Sequence, residues 1–276
     1  MMAERVKTIL PKLNFEDSVE VSKIYSVCGL LENGLIRNSP FRNPHYSITK
    51  IGMLGGGRIP KMGEITLSHK GVLFLDELLE FDRDVLESLR IPIENKTIHI
   101  NRYGVSNKYP CDFILIACTN PCKCGYFGSN IKNCTCTEAE RNRYVSKLSG
   151  PVLDRFDIQV NVNKIKYNEL FEKEESSQKI KERIIKARKI QENRYKKYGF
   201  KLNSELTPKL IDKYCILNEA SNRRLENVYE SLGISLRGYI KILKVARTIA
   251  DLDERENIEE EDVLEAIQYR CKEKNE

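Results

Sequence analysis

Three groups of side chains in this 276-residue chain have types and spacings that could do chemistry. The first is Val72-Leu73-Phe74-Leu75-Asp76-Glu77, four apolar residues that run straight into two carboxylates. A nucleotide hydrolase needs that order. The strand buries itself, and its C-terminal mouth offers one carboxylate to Mg²⁺ and the other to the water that attacks a γ-phosphate. Taken alone, the hexapeptide fits a buried strand with an acidic loop equally well. The second is Asn120, at the end of the apolar run Phe113 to Cys118, where an amide could hydrogen-bond both γ-phosphate and attacking water. Asn120-Pro121 also reads as an ordinary turn. The third is Leu153-Asp154-Arg155-Phe156-Asp157. Ser149-Gly150-Pro151 starts a short helical turn there that would deliver Arg155 toward a phosphate in an adjacent subunit. Considered by itself, Arg155 would pair with its aspartate neighbours at the surface.

Cysteines add a fourth group. Cys122-x-Cys124 and Cys134-x-Cys136 are two close pairs on either side of a glycine-containing loop, and four thiolates could hold Zn²⁺ tetrahedrally. Cys-x-Cys is tighter than the usual structural spacing, so reduced or redox-active thiols are the alternative. The odd total of nine, with no signal-peptide pattern in residues 1–10, argues against a disulfide framework. His45, His69 and His99 are scattered and read as packing or surface residues.

The elements that must position these groups can be read from periodicity. Gly71–Leu75 and Phe113–Cys118 are predicted strands buried on both faces, and Ile158–Val162 is a third. Between the first two, Asp82 should cap a helix that turns Val85, Leu86 and Leu89 inward and stops near Pro92, and Thr97 to Tyr109 should form a hairpin turning near Tyr103-Gly104. Alternation of strand and helix predicts a parallel sheet of the α/β class. Beyond about residue 164 the chain turns helical: a polar helix over 169–197, then helices started by Thr207-Pro208, ended by Gly233, capped by Ser235 and led by Ile258.

The order Asp76-Glu77, Asn120, Arg155, Arg237 resembles the magnesium-chelatase-like AAA+ ATPase family. Pro40-Phe41-Arg42-Asn43-Pro44-His45, the two Cys-x-Cys pairs and Ser235-Leu236-Arg237-Gly238-Tyr239 are similar to its competence-associated ComM/YifB branch. The likeness runs over essentially the whole chain. It implies an AAA+ P-loop NTPase-type core over 1–165, a linker helix over 166–200 and an all-α lid over 201–276. It further implies ATP and Mg²⁺ as cofactors, with Asp76 and Glu77 as the Walker B pair, Asn120 as sensor 1, Arg155 as an arginine finger and Arg237 as a nucleotide-contacting sensor 2 on the lid. The expected protein is a cytoplasmic, ring-forming, hexameric ATPase that remodels DNA in competence or recombination. The alternatives are a metal-chelatase-type motor acting on a protein partner and a non-catalytic remnant.

One part of that pattern is missing. No Gly-x-x-x-x-Gly-Lys-Ser/Thr occurs in the chain, and in the family such a loop would end almost at Met1. A truncated product or split reading frame is therefore expected, lacking the first strand and phosphate loop, with stand-alone hydrolysis in doubt and an exposed strand edge that favours instability. The net charge of +6 suits an anionic partner without identifying one. The resemblance further implies that Arg42, Lys50, Arg58 and Lys61 before the acidic pair, with Arg102 and Lys108 in the hairpin, face a ring's pore and could line a DNA channel; Phe41, Tyr46 or Tyr103 could stack on bases there, with core packing the alternative role for most of them. The basic run 179–201 reads as a solvated helix face. No stretch is apolar and long enough to span a bilayer.

Overall fold

The computed structural model describes residues 2–58, 61–102, 105–128, 132–162 and 175–270. It divides into two compact units, Met1–Arg155 and Phe156–Glu276.

The first unit begins with α1 (Met2–Ile9) and α2 (Phe15–Val27), the latter capped by Asn14, whose side chain accepts from the Asp17 N–H. Then come β1 (Phe41–Arg42), α3 (Lys50–Leu54), β2 (Gly55–Gly56), β3 (Lys61–Met62), α4 (Glu64–Leu67) and β4 (Val72–Leu75). The chain continues through α5 (Arg83–Ser88), α6 (Arg90–Asn95), β5 (Thr97–Arg102), β6 (Val105–Pro110), β7 (Ile114–Ala117), α7 (Glu138–Val145) and α8 (Gly150–Leu153). Among the described residues the main sheet has the order β1-β4-β7, all parallel, with Val72 opposite Ile114 and Leu75 opposite Ala117. All four residues of β4 are buried, the continuous apolar signature of a strand covered on both faces. Gly71 is required just before it. A Cβ there would sit 2.0 Å from the Pro40 carbonyl, the same oxygen that accepts the Val72 N–H and brings β1 alongside.

Three expectations are modified. β7 is not buried on both faces, because it lies at the sheet's edge and leaves Ile114 44% exposed. The helix expected to stop near Pro92 is two helices meeting at Leu89, and Pro92 sits in the first turn of α6, where a missing N–H costs little. Ile158–Val162 is not a strand. Its alternate side chains Ile158, Val160 and Val162 are exposed, which is what a period-two segment shows when, as among the described residues, no strand pairs with it. The hairpin forms as expected, β5 antiparallel to β6, with residues 103–104 of its turn outside the described residues.

The second unit is helical: α9 (Ser177–Tyr195), α10 (Pro208–Tyr214), α11 (Glu219–Leu232), α12 (Leu236–Leu252) and α13 (Glu260–Gln268). Ser235 and Gly233 act as their chemistry dictates, whereas Thr207 sits at the start of α10 without a side-chain capping bond, ahead of Pro208. Ser235 accepts from the Gly238 N–H, and Gly233 ends α11 at φ 59°. The core gathers Tyr195, Leu206, Ile211, Leu225, Ile242, Ala246, Ala250 and Val263. Beside it Asp251, fully buried, takes Arg194 in a bidentate pair at 2.9 and 2.5 Å, Arg247 at 3.0 Å and the Asn203 amide at 2.8 Å. No described helix is long and apolar enough to cross a membrane.

Removing the carboxylate at Asp251 strands two largely buried guanidinium groups. Asp251→Ala is expected to lose about 3–5 kcal/mol of stability in urea unfolding. A loss below about 1 kcal/mol would show that water replaces the carboxylate there.

Candidate functional site

β4 and β7 deliver their C-terminal residues side by side. The Cys118 N–H bonds the Leu75 carbonyl at 3.0 Å, and the Leu78 N–H bonds the Cys118 carbonyl at 2.8 Å. Asp76 and Glu77 are thus pinned beside Cys118-Thr119-Asn120, and Asp76, Glu77 and Asn120 are all exposed. Glu77 occupies the left-handed region at φ 52°, ψ 46°, and its N–H is held by Asp76 Oδ1 at 3.1 Å. A non-glycine residue there costs about 1–3 kcal/mol, and it turns the chain sharply enough for two successive carboxylates to stay at the mouth of one strand. An exposed carboxylate with one oxygen on a neighbouring N–H keeps a second oxygen for a hydrated cation, so Asp76 fits Mg²⁺.

The structure therefore brings Asp76, Glu77 and Asn120 to one edge. Arg155 follows α8, whose Ser149-Gly150-Pro151 start is as expected, but its side chain does not project. It is 8% exposed, with Nη2 at 2.9 Å from Glu94, Nε donating to the Arg90 carbonyl at 3.1 Å and Nη1 donating to the Pro151 carbonyl. Among the contacts described, its ion-pair partner is Glu94 on α6. Arg237 is exposed in the first turn of α12, in the second unit.

The four cysteines converge. Cys122, Cys124 and Cys134 place their Sγ atoms 3.4, 3.5 and 3.6 Å apart, and all four Sγ, with that of Cys136, lie within 4.8 Å of one another. None is in a disulfide. The backbone N–H groups of Tyr126 and Thr135 hold the Cys124 thiol down to about 5. Such a group can hold a metal ion.

Two contacts were missed in the sequence. Tyr144 on α7 is largely buried, and its phenol is pushed up to about 12 by that burial and by a hydrogen bond to Glu80, while Thr119 also contacts it. Lys147 donates to the Leu79 carbonyl at 2.7 Å. Both tie α7 to the loop after the acidic pair, beside a shallow cleft of about 430 Å³ that Lys123 and Arg143 also line. The signal for α7 was available: Thr137 and Glu140 form a reciprocal capping box. Glu94 as the partner of Arg155 had no such signal, since the contact spans 61 residues (155 − 94).

Other expected residues divide. Arg42 is half-buried in a bidentate pair with Glu64 at 2.6 and 2.8 Å, whereas Lys50, Arg58, Lys61 and Lys108 are exposed. The side chains of Arg102 and Tyr103 lie outside the described residues. His69 has a packing role, accepting from the Asp112 N–H and facing Glu20 at 3.2 Å. His45 and His99 are exposed.

Residues 1–170 match the family model for the magnesium chelatase subunit ChlI, and residues 174–270 match the model for the C-terminal part of the same subunit. The chain belongs to the magnesium chelatase ChlI family. Within it, similarity concentrates on one branch. The chain is 41% identical to the protein YifB of Salmonella typhimurium over 275 residues, and 39% identical to the competence protein ComM of Haemophilus influenzae over 278, in each case across 98% of this chain and 53% of the other. A magnesium-chelatase 67 kDa subunit of Chlorobaculum parvum matches at 28% over only 69 residues, 25% of this chain and 11% of that protein. The chain thus spans about half the length of the YifB and ComM relatives, and its family membership is to that branch. The α/β core and helical second unit agree with the AAA+ architecture expected from the sequence.

The left-handed Glu77 gives a test of the local geometry. Glu77→Gly is expected to raise stability by about 0.5–1 kcal/mol in denaturant unfolding, the relieved strain exceeding glycine's extra unfolded-state freedom. A net loss would mean that contacts of the Glu77 side chain outweigh the strain.

Proposed function

We propose that this chain is the acidic-pair, sensor and lid portion of a cytoplasmic, ring-forming ATPase that remodels DNA. The observation that carries the reading is the acidic pair at the mouth of a fully buried strand, with Asn120 at the mouth of the strand hydrogen-bonded beside it. MgATP, when bound, supplies the phosphoryl group whose transfer to water drives the motor. Asp76 would hold the hydrated Mg²⁺, Glu77 would polarise the attacking water, and Asn120 would orient that water against the γ-phosphate. Arg237 at the capped start of α12 is the lid's contribution. Arg155 acts on a neighbouring subunit's phosphate, which requires it to leave Glu94, so assembly and activity are coupled.

The phosphate-binding sequence Gly-x-x-x-x-Gly-Lys-Ser/Thr is not among these 276 residues. That loop makes most phosphate contacts, so the chain by itself is expected to bind ATP with a Kd above about 1 mM in calorimetry. Tight binding that Asp76→Ala abolishes would show that phosphate is held by other residues of this chain.

DNA as the substrate draws support from the exposed cations Lys50, Arg58, Lys61 and Lys108, and from a relative named for competence. Membership of the magnesium chelatase ChlI family supports a second reading, a chelatase-type motor, whose substrate would be a protein partner. Fluorescence anisotropy with single-stranded and branched DNA separates the two. Binding should weaken with salt, and the triple change Lys50→Glu, Arg58→Glu, Lys61→Glu should flatten the log–log salt slope by about 2–3. No binding at low salt favours the protein-partner reading.

A further inference from the structure

We propose that Cys122, Cys124, Cys134 and Cys136 bind one structural Zn²⁺, and that this ion is the staple that holds Asn120 against the acidic pair. The geometry of the sulfurs comes first. Three form a nearly equilateral triangle with sides of 3.4–3.6 Å, and the fourth is within 4.8 Å of each. A disulfide brings two sulfurs to about 2.05 Å and leaves no reason for a third and a fourth to gather. A tetrahedral ion with Zn–S bonds of about 2.3 Å sets sulfurs about 3.8 Å apart, close to the triangle seen. The donor set is all sulfur, which suits Zn²⁺ and rejects the harder Mg²⁺ and Ca²⁺.

The surroundings fit a negatively charged centre. Cys122 is fully buried and its Sγ accepts the Phe127 N–H at 3.4 Å. Arg141 donates to the Cys136 carbonyl at 2.7 Å and lies 4.5 Å over the Phe127 ring, bringing a fixed cation to the edge of the cluster. Loading would release the thiol protons to solvent as four thiolates replace waters on the ion, with no change of oxidation state.

The position of the cluster in the chain gives the ion its role. Cys122 follows Asn120 by two residues, and Cys136 immediately precedes Thr137, the cap of α7. The loop between carries no helix or strand among its described residues, so no regular element of those residues fixes the spacing of its two ends. With the ion, β7 and α7 become one rigid piece. α7 then returns to the acidic loop through Lys147, which donates to the Leu79 carbonyl, with Tyr144 and Glu80 lining the same cleft. The metal content is independent of the ATPase reading; only the naming of Asn120 as the group being held rests on it.

The test is made on the whole chain purified without chelator. Elemental analysis should give about one zinc per chain, and growth with cobalt should give the thiolate-to-cobalt charge-transfer and tetrahedral d–d bands. The double change Cys124→Ser, Cys134→Ser should remove the ion. Hydrogen exchange over 118–147 should then accelerate while α9 to α13 stay protected. If the double variant does not fold, the same exchange is read on the unaltered chain after zinc is stripped with a mercurial and a chromogenic chelator. Less than about 0.2 equivalents of zinc, iron in its place, disulfides by mass spectrometry, or zinc retained in the double variant would each overturn the site. Zinc present but exchange over 118–147 unchanged on its removal would overturn the staple.

Discussion

The parallel pairing of β4 with β7 is the constraint from which the rest of the first unit follows. Each strand alone would carry its polar end wherever the loop beyond it went. Paired in register, with Leu75 opposite Ala117, they release Asp76 and Cys118 at the same level, and two backbone hydrogen bonds hold the exits together. The burial of all four β4 side chains anchors that register, because a slip by one residue would exchange the faces on which Val72, Leu73, Phe74 and Leu75 pack. The site is therefore stabilised by apolar contacts several residues away from any charged group.

Around that pair the structure adds restraint from the C-terminal side. The segment after β7 leaves through four gathered thiols, forms α7 and comes back to Glu80 and Leu79. The turn at Glu77 is strained, and strain persists only where neighbours over-determine the backbone. The returning helix supplies those neighbours. The helical unit solves a different problem, the burial of charge, by giving one aspartate enough donors to satisfy it.

Much of this was legible in the sequence because the signals are local. β4, the cysteine pairs, the Ser235 cap and the Gly233 stop each rest on a handful of adjacent residues, and family resemblance rested on their order. What escaped was long-range or shared. Ile158–Val162 has the pattern of a strand, but pattern gives only propensity; a strand exists when a second one supplies hydrogen-bond partners. Tyr144 carries no local signal of its own, and its place beside Glu80 arises only when α7 folds back. Arg155 lies in a turn that was correctly placed, yet its direction is decided by Glu94, a residue on another helix.

The embrace of Arg155 has a thermodynamic corollary. Its guanidinium already has three oxygen acceptors, so any outside anion competes with a filled coordination sphere and gains only the difference between the two. Glu94 would be left behind carrying an unneutralised charge near the Arg90 turn. An anion must therefore offer the guanidinium more than the Glu94 carboxylate and two backbone carbonyls already do before the side chain leaves them.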